Sequence, residues 1–354
     1  MAKLSLGLDI GSHQIKLAAL SQRGKSFRLD QVGMMPLPPE TIVDEELLNS
    51  AALVSTLREL LAKTQIRRRE TAIALGGRAA IIRHIRLPTM SEAELEESLA
   101  WEAKQYIPFD LDEVYLDFHM GEVNKETEQM EVILVAAKRT VVDDYCAAVR
   151  LAGLRPVVVD VLPFAVSNAF MHAYPEHNDD VSAIVDVGAN LSTIAVVQNG
   201  EMLYSRTLEK GSARLTDALQ RQLAMPYAKA EAFKTGSNDN GLVPADVQRV
   251  IDTAIGDLVG GMRTLITYHA EQGGAPLERL FIAGGGAKSD AICGAIAREV
   301  GLDAERLDPF RRLTTRHRAV DNAIVEQMGC QGAVAIGLAQ RSTLDRLDAS
   351  KARR

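Results

Sequence analysis

Two acidic residues, each at the end of an apolar stretch and followed by a turn of small residues, are the strongest chemical signal in this sequence. In LGLDIGSHQIKLAAL (6–20), Asp9 ends the apolar run, Gly11 and Ser12 form a turn, and an alternating strand follows. This pattern predicts a β-hairpin whose turn presents backbone N–H groups. Such a turn can bind a phosphate, with Asp9 facing the accompanying metal and Lys16 neutralising a phosphate oxygen. An ordinary edge hairpin is the alternative.

The same arrangement recurs in the stretch IVDVGANLSTIAVVQNG (184–200). Asp186, Gly188 and Ala189 stand at the same relative positions as the acid, glycine and serine of the first hairpin. Two such hairpins in one chain suggest two related halves that face each other across a cleft. One carboxylate from each half, together with phosphates and retained waters, would form the kind of ligand set that Mg²⁺ prefers.

Composition narrows the classes of function. The chain has 354 residues, 47% hydrophobic and 25% charged, with a net charge of −7. This acidic balance argues against a nucleic-acid partner. No apolar run has the length of a bilayer-spanning helix, and no signal peptide is recognised before the first strand. The three cysteines, at 146, 293 and 330, are far apart, so we expect a cytosolic chain with unpaired thiols.

Three further segments predict the elements that would hold these turns. Leucines near helical spacing predict a helix over 44–63. A compact strand–helix–strand–strand–helix block follows from Gly76, and its helix opens with the capping-box pair Ser91 and Glu94. Near the end, a strand over 280–283 leads into three glycines and a helix, which can accommodate a nucleotide or be only a tight turn.

These elements, in this order, resemble the actin-like ATPase superfamily of actin, MreB, FtsA and the DnaK-type chaperones. Segment 6–20, with Lys16 seven residues after the acid, is similar to its first phosphate motif, and 184–200 to its second. FIAGGGAKSDAI (281–292) is similar to the adenosine motif. Residues 159–170 and 331–340 resemble the two connecting helices. The resemblance covers nearly the whole chain and implies an α/β, actin-like (ribonuclease H-like) two-domain ATPase fold.

Within the superfamily, the chain is similar to the PilM family of type IV pilus assembly proteins. LEESLAWEAKQYIPF (95–109) resembles that family's E-A-x-Q-Y-I-P-F stretch, and 135–138, 160–161 and 230–234 also fit. The resemblance implies an FtsA-type inserted subdomain that actin lacks. The implied division is a first half of 1–77, 156–180 and about 335–354, an insert of 78–155, and a second half of 181–334.

The resemblance also implies roles for individual residues. Asp9 and Asp186 would bind Mg²⁺, and Lys16 would contact the phosphates of ATP. The backbone of the two turns would hold the β- and γ-phosphates: Gly11, Ser12, His13, Gln14, Gly188, Ala189 and Asn190. The nucleoside would lie along Gly211, Glu231, Lys234, Gly284, Gly285 and Gly286. Glu231 and Lys234 also have the spacing of an ordinary surface ion pair.

One position departs from the related MreB pattern, in which a glutamate orients the attacking water. The matching residue here is Leu162, which cannot orient or deprotonate water. We therefore expect ATP binding with weak or no hydrolysis, and the sequence assigns no catalytic residue.

The function implied by the resemblance is a cytoplasmic, ATP-binding scaffold of pilus biogenesis and twitching motility, held at the inner membrane through protein partners. Its partner would be the extended N-terminal cytoplasmic peptide of PilN, with an I-N-L-L-like motif. The aromatic residues around a helix-ending proline predict the contact surface: Trp101, Tyr106, Ile107, Pro108 and Phe109. These residues could instead seal the insert against the first half.

Other partners and functions stay open at this stage. Further inner-membrane pilus proteins, assembly ATPases and self-association are compatible with the resemblance, whereas direct membrane insertion is not expected. A small-molecule kinase of the same fold is one alternative. An FtsA-like division protein is another, although the polar tail 342–354 lacks the apolar face of a membrane-targeting helix.

Overall fold

The computed structural model describes residues 3–24, 26–235, 243–271, 274–315 and 320–341. The predictions for the tail 342–354 lie outside the described residues. Within the described part of the chain, no helix combines the length and apolar character needed to cross a bilayer.

The elements follow the predicted alternation of strands and helices. The described strands are β1 (Lys3–Ile10), β2 (Gln14–Arg23), β3 (Ser26–Pro36), β4 (Ile42–Val43), β5 (Glu46–Leu47), β6 (Glu70–Leu75), β7 (Ala80–Pro88), β8 (Val114–Asn124), β9 (Gln129–Lys138), β10 (Arg155–Val161), β11 (Ser182–Val187), β12 (Ser192–Gln198), β13 (Glu201–Leu208), β14 (Arg279–Ala283), β15 (Ala304–Arg306) and β16 (Thr314–Thr315). The described α-helices are α1 (Ser50–Thr64), α2 (Glu92–Ala103), α3 (Arg139–Leu151), α4 (Leu162–Ala173), α5 (Ala213–Leu223), α6 (Tyr227–Thr235), α7 (Ala245–Glu271), α8 (Asp290–Val300), α9 (Asn322–Met328) and α10 (333–341).

The first half is built on a six-stranded sheet in the order β10-β6-β1-β2-β3-β16. The antiparallel hairpin β1–β2 lies at its centre, which confirms the predicted hairpin. One face packs on α1 and α3 in a core of aliphatic side chains, and the other packs on α10. Strand β16 joins this sheet from the segment that the sequence division placed in the second half.

The second half repeats the plan with a five-stranded sheet in the order β13-β12-β11-β14-β15. Its hairpin β11–β12 is antiparallel, as the sequence predicts, and β14 pairs in parallel with β11. Helices α5, α7 and α8 share one core with this sheet, and α4 packs on the opposite face. Each half therefore places its hairpin turn at the edge of the cleft.

Helices α4 and α10 cross between the two halves with their backbones in contact. A Cβ placed on Gly337 would lie 1.7 Å from the Ala165 carbonyl oxygen, so only glycine allows this crossing. Gly7 permits the same close approach of α10 to β1, because its Cβ would lie 2.0 Å from the Ala335 carbonyl oxygen. Of the two predicted connecting helices, α10 thus packs directly on the strand that carries Asp9, and α4 packs on α10.

The inserted segment forms a separate three-stranded sheet in the order β7-β9-β8, covered by α2. The predicted capping box is confirmed: the Ser91 hydroxyl accepts from the Glu94 N–H, and the Glu94 carboxylate accepts from the Ser91 N–H. Helix α3 follows this sheet in the chain but packs against α1 in the core of the first half.

The prediction of a helix from residue 44 is wrong at its start. Helix α1 begins at Ser50, where the Asn49 side chain accepts the Ala52 N–H at 3.0 Å. Upstream, Asp44 and Glu45 form the tight turn of the hairpin β4–β5, with φ of 49° and 66°. This left-handed backbone ends any helix that includes them, so the leucine spacing in this segment was a misleading signal.

Candidate functional site

The two predicted phosphate turns have the same hydrogen-bonded geometry. In the first, the Gly11 N–H donates to the Gln14 carbonyl at 3.2 Å; in the second, the Gly188 N–H donates to the Leu191 carbonyl at 2.8 Å. A Cβ on Gly188 would lie 2.8 Å from that carbonyl oxygen, so the turn requires its glycine. The two equivalent turns, each following a strand whose penultimate residue is the acid, face one cavity of about 330 Å³ between the halves.

Asp9 and Asp186 both line this cavity, one from each half. The pKa of the Asp186 carboxyl is raised to about 6, mainly by burial and also by the negative charge of Asp9, while the positive charge of Lys16 opposes both. Two carboxylates whose charges repel each other in a buried site are stabilised by a cation between them. The two carboxylates therefore fit a hydrated Mg²⁺ held beside the two turns.

Lys16 is positioned by the register of the first hairpin, which places it directly opposite Asp9. Its Nζ donates to the Asp9 Oδ2 at 2.8 Å, and the two side chains are only 13% and 9% exposed. Burial alone would lower the pKa of Lys16, but the charges of Asp9 and Asp186 raise it above its usual value. The lysine is therefore a fixed positive charge beside the first turn.

The third loop, between β14 and α8, passes close to the second acid. Gly284 has φ of 82°, and a Cβ there would lie 2.6 Å from the Asp186 Oδ1 and 2.5 Å from the Val187 carbonyl oxygen. Its N–H donates to the Cys330 carbonyl at 3.0 Å, which ties the loop to the short turn that precedes α10. The absence of a side chain at Gly284 thus lets this loop pack against β11, and both Gly284 and Gly285 line the cavity.

A polar cluster closes the end of the cavity formed by α5 and α6. The Glu231 carboxylate accepts from the Thr216 hydroxyl at 2.5 Å and from the Lys234 Nζ at 2.6 Å. The Glu231 and Lys234 side chains are 28% and 10% exposed, so this pair belongs to the cavity wall rather than to an open surface. Its donors and acceptors suit a ribose or a base edge.

All but two of the residues that the sequence predicts for nucleotide binding line this cavity. Gly211 lies behind the second turn, where a Cβ would be 2.2 Å from the Ala189 carbonyl oxygen, and the next residue, Ser212, donates its N–H to Gly188. Gly286 packs under β11, where a Cβ would be 2.3 Å from the Val187 Cγ1. Both glycines support the wall of the cavity without lining it.

Several cavity residues were given no role by the sequence analysis. Thr216 lies on α5 and Tyr227 at the start of α6. Lys288 follows the triple glycine, and its Nζ donates to the Gln327 carbonyl at 2.9 Å. Glu45 also lines the cavity, from the β4–β5 turn, where the sequence predicts a helix.

A second and larger cavity, of about 1010 Å³, lies between the insert and the two halves; it is called the groove below. Its walls include strands β8 and β10, helix α4 and the β12–β13 turn. Among the described strands, β10 and β8 each end their sheet. Val157 and Val159 on β10 are 41% and 38% exposed, and Tyr115 on β8 is 41% exposed. The groove therefore combines edge-strand backbone with exposed apolar side chains.

The five residues predicted for partner binding are not all on one surface. Tyr106 lines the groove. Trp101 is 67% exposed on α2, and Pro108 is also exposed. Ile107 is buried in the core of the insert, and the half-buried Phe109 packs against the same core, with the Lys138 Nζ 5.1 Å from its ring centroid.

Two similar α/β halves, crossed helices between them and paired acid–turn hairpins at one cleft define the actin-like ATPase fold. A family model described as type IV pilus assembly protein PilM matches residues 7–343. The chain belongs to this family. The membership favours pilus assembly over the kinase and division-protein alternatives.

Solved structures agree with this assignment. A chain from a PilM–PilN type IV pilus biogenesis complex is 28% identical, with a TM-score of 0.83 over 95% of this chain and 98% of that one. The ethanolamine utilization protein EutJ from Carboxydothermus hydrogenoformans shares the fold at 14% identity and a TM-score of 0.58, over 96% and 90%. MreB 5 of Spiroplasma citri bound to AMPPNP shares it at 10% identity and a TM-score of 0.54, over 99% of each chain.

Proposed function

We propose that this protein is a pilus-assembly scaffold that binds ATP with Mg²⁺ between its two halves. The observation that carries the proposal is the pair of equivalent turns and acids around one cavity. Asp9 and Asp186 would hold the hydrated metal, and Lys16 would neutralise the phosphates. Glu231 and Lys234 would contact the nucleoside, with Gly284 beneath it. MreB 5 of Spiroplasma citri shares the fold and was solved bound to AMPPNP, which supports nucleotide binding by this protein.

Calorimetry with ATP, in the presence of Mg²⁺ and in its absence, tests the proposal. We expect Mg²⁺ to strengthen binding by wild-type protein, and Asp9→Ala to remove that dependence. Asp30→Ala is the matched control, because Asp30 is a similarly shielded acid on the same sheet, paired with Arg28 away from the cavity. Equal ATP affinity with and without Mg²⁺ in wild-type protein would overturn the metal assignment.

The scaffold role requires a partner, and the groove is the surface that we propose for it. An extended peptide can pair its backbone with an edge strand, while alternate side chains enter apolar pockets. Strand β10 offers that edge, and Val157 and Val159 offer apolar contacts beside it. The PilM–PilN complex supports PilN as the partner. The family resemblance implies that the occupant is the N-terminal cytoplasmic segment of PilN, which would hold this protein at the inner membrane.

Substitutions in the groove separate partner binding from nucleotide binding. Val159→Arg places a charge on the exposed edge of β10 and should weaken a synthetic PilN N-terminal peptide by about thirty-fold, equivalent to about 2 kcal/mol. Val123→Arg is the control, because Val123 is 45% exposed on β8 and is not among the groove residues. ATP affinity should stay unchanged in both variants. Full-strength peptide binding by a folded Val159→Arg variant would exclude this part of the groove.

A further inference from the structure

The cavity end beside Leu162 contains an acid that the sequence analysis did not recognise. The Leu162 side chain packs on Gly76, where a Cβ would lie 2.3 Å from its Cδ1. The Glu45 carboxylate packs on the next residue, Gly77, where a Cβ would lie 2.5 Å from its Oε2. Glu45 and Leu162 both line the nucleotide cavity. The Glu45 carboxylate therefore packs on the residue next to the one that contacts Leu162. Leu162 is the position at which the MreB pattern has its water-orienting glutamate.

The hairpin β4–β5 holds Glu45 in this place. Asp44 and Glu45 form its two-residue turn, and both have a left-handed backbone that is unfavourable for residues other than glycine or asparagine. The buried Tyr145 of α3 donates its hydroxyl to the Glu45 carbonyl at 3.2 Å. The tight turn and the hydrogen bond from Tyr145 together hold the backbone of Glu45 in this unfavourable conformation. They thereby keep its half-buried side chain at the cavity.

The other carboxylates that line the cavity lie at the metal site or at the nucleoside end. Asp9 and Asp186 belong to the metal site. Glu231 accepts from Thr216 and Lys234 at the nucleoside end, and Asp217 lies on α5 at that same end. By its position, Glu45 is the carboxylate next to the Leu162 end of the cavity.

We infer that Glu45 orients and deprotonates the water that attacks ATP, in a slow hydrolysis reaction. This inference rests on the proposed ATP binding. As the water oxygen forms its bond to the γ-phosphorus, its proton passes to the Glu45 carboxylate. The bond from the γ-phosphorus to the β–γ bridging oxygen breaks, and ADP and inorganic phosphate leave. The proton returns to solvent when the site opens.

The electrostatic surroundings suit a general base. Burial raises the pKa of Glu45 above that of an ordinary glutamate, and the charges of Glu209 and Asp44 raise it further. The backbone N–H and the positive charge of Arg78 oppose this rise, and the neutral Tyr145 is the facing group from α3. A base whose pKa lies closer to the working pH takes a proton from water more effectively.

The test compares Glu45→Gln with Glu46→Gln, the exposed neighbour on β5. Both variants should bind Mg²⁺–ATP within about two-fold of wild type. In single-turnover phosphate release with protein in excess, Glu45→Gln should be slower by about 10²–10⁴-fold, the usual contribution of a general base. Glu46→Gln should match wild type. Tyr145→Phe, which keeps the buried ring and removes only the anchor, should show a smaller decrease.

A binding measurement supplies a readout other than turnover. ADP with aluminium fluoride mimics the transition state and includes the attacking water, so Glu45→Gln should weaken its binding at least ten-fold relative to ADP alone. Hydrolysis and analogue binding at wild-type levels in Glu45→Gln would overturn the role of Glu45, as would the absence of phosphate release from wild-type protein above the buffer rate. Failure of wild-type protein to bind Mg²⁺–ATP would instead overturn the proposed function itself.

Discussion

Replacing Lys16 with methionine should destabilise the nucleotide-free protein and change its response to Mg²⁺. Methionine keeps most of the side-chain volume but leaves Asp9 without its 2.8 Å partner in a site where the pair is 13% and 9% exposed. Breaking a buried pair typically costs about 3–5 kcal/mol, because the remaining charge stays buried and uncompensated. Here the cost is increased by Asp186, whose charge already repels Asp9.

The expected magnitude can be measured by calorimetric melting. With an unfolding entropy of about 2.1 cal/mol/K per residue, a cooperative unit of 354 residues loses about 4–7 °C in Tm for such a change. Lys63→Met is the matched control, because Lys63 pairs with Glu59 at 2.9 Å but the two side chains are 64% and 60% exposed. An exposed pair contributes about 0–1 kcal/mol, so the control should melt within about 1 °C of wild type.

Magnesium distinguishes an electrostatic cause from simple loss of packing. With Lys16 gone, two carboxylates face the metal site without a cation, so Mg²⁺ alone should raise the Tm of Lys16→Met more than that of wild type. ATP affinity should fall, because the phosphates lose a fixed positive charge. Equal melting temperatures for Lys16→Met and Lys63→Met, or no added stabilisation by Mg²⁺, would refute the reasoning.

Three further predictions concern pH and packing. Because the pKa of Asp186 is about 6, Mg²⁺–ATP affinity should fall as the pH drops below 6, and calorimetry should show no such dependence in Asp186→Asn. Burial lowers the pKa of His84 to about 4, so the unfolded chain binds a proton at a higher pH than the folded protein does. The free energy of unfolding should therefore decline by up to about 3 kcal/mol from pH 6.5 to pH 4. Denaturant titration of His84→Gln should show a smaller decline. Gly337→Ala should destabilise the protein by about 3 kcal/mol, because its Cβ meets the α4 backbone. Gly256→Ala, in open space on α7, should stabilise it by up to about 1 kcal/mol. Thermal melts should show a lower Tm for Gly337→Ala and a higher Tm for Gly256→Ala than for wild type.

The sequence alone determined the parts of the site whose geometry is local. In each hairpin the acid, the glycine turn and the departing strand are within about ten residues, so their spacing reflects one hydrogen-bonded structure. The register that places Lys16 opposite Asp9 follows from the length of the first turn. The recurrence of the motif was enough to predict two halves around a cleft, and the observed hairpins confirm it.

Two features were decided only by the tertiary structure. The groove depends on β10 being an edge strand. The valine run of β10 is equally typical of a buried central strand, and only the order of strands in the sheet shows that Val157 and Val159 are exposed. Glu45 needs a left-handed turn held by Tyr145, one hundred residues further along the chain. Helical spacing of nearby leucines predicted the opposite conformation, because periodicity reports local burial and carries no information about a distant hydroxyl that stabilises an unfavourable backbone.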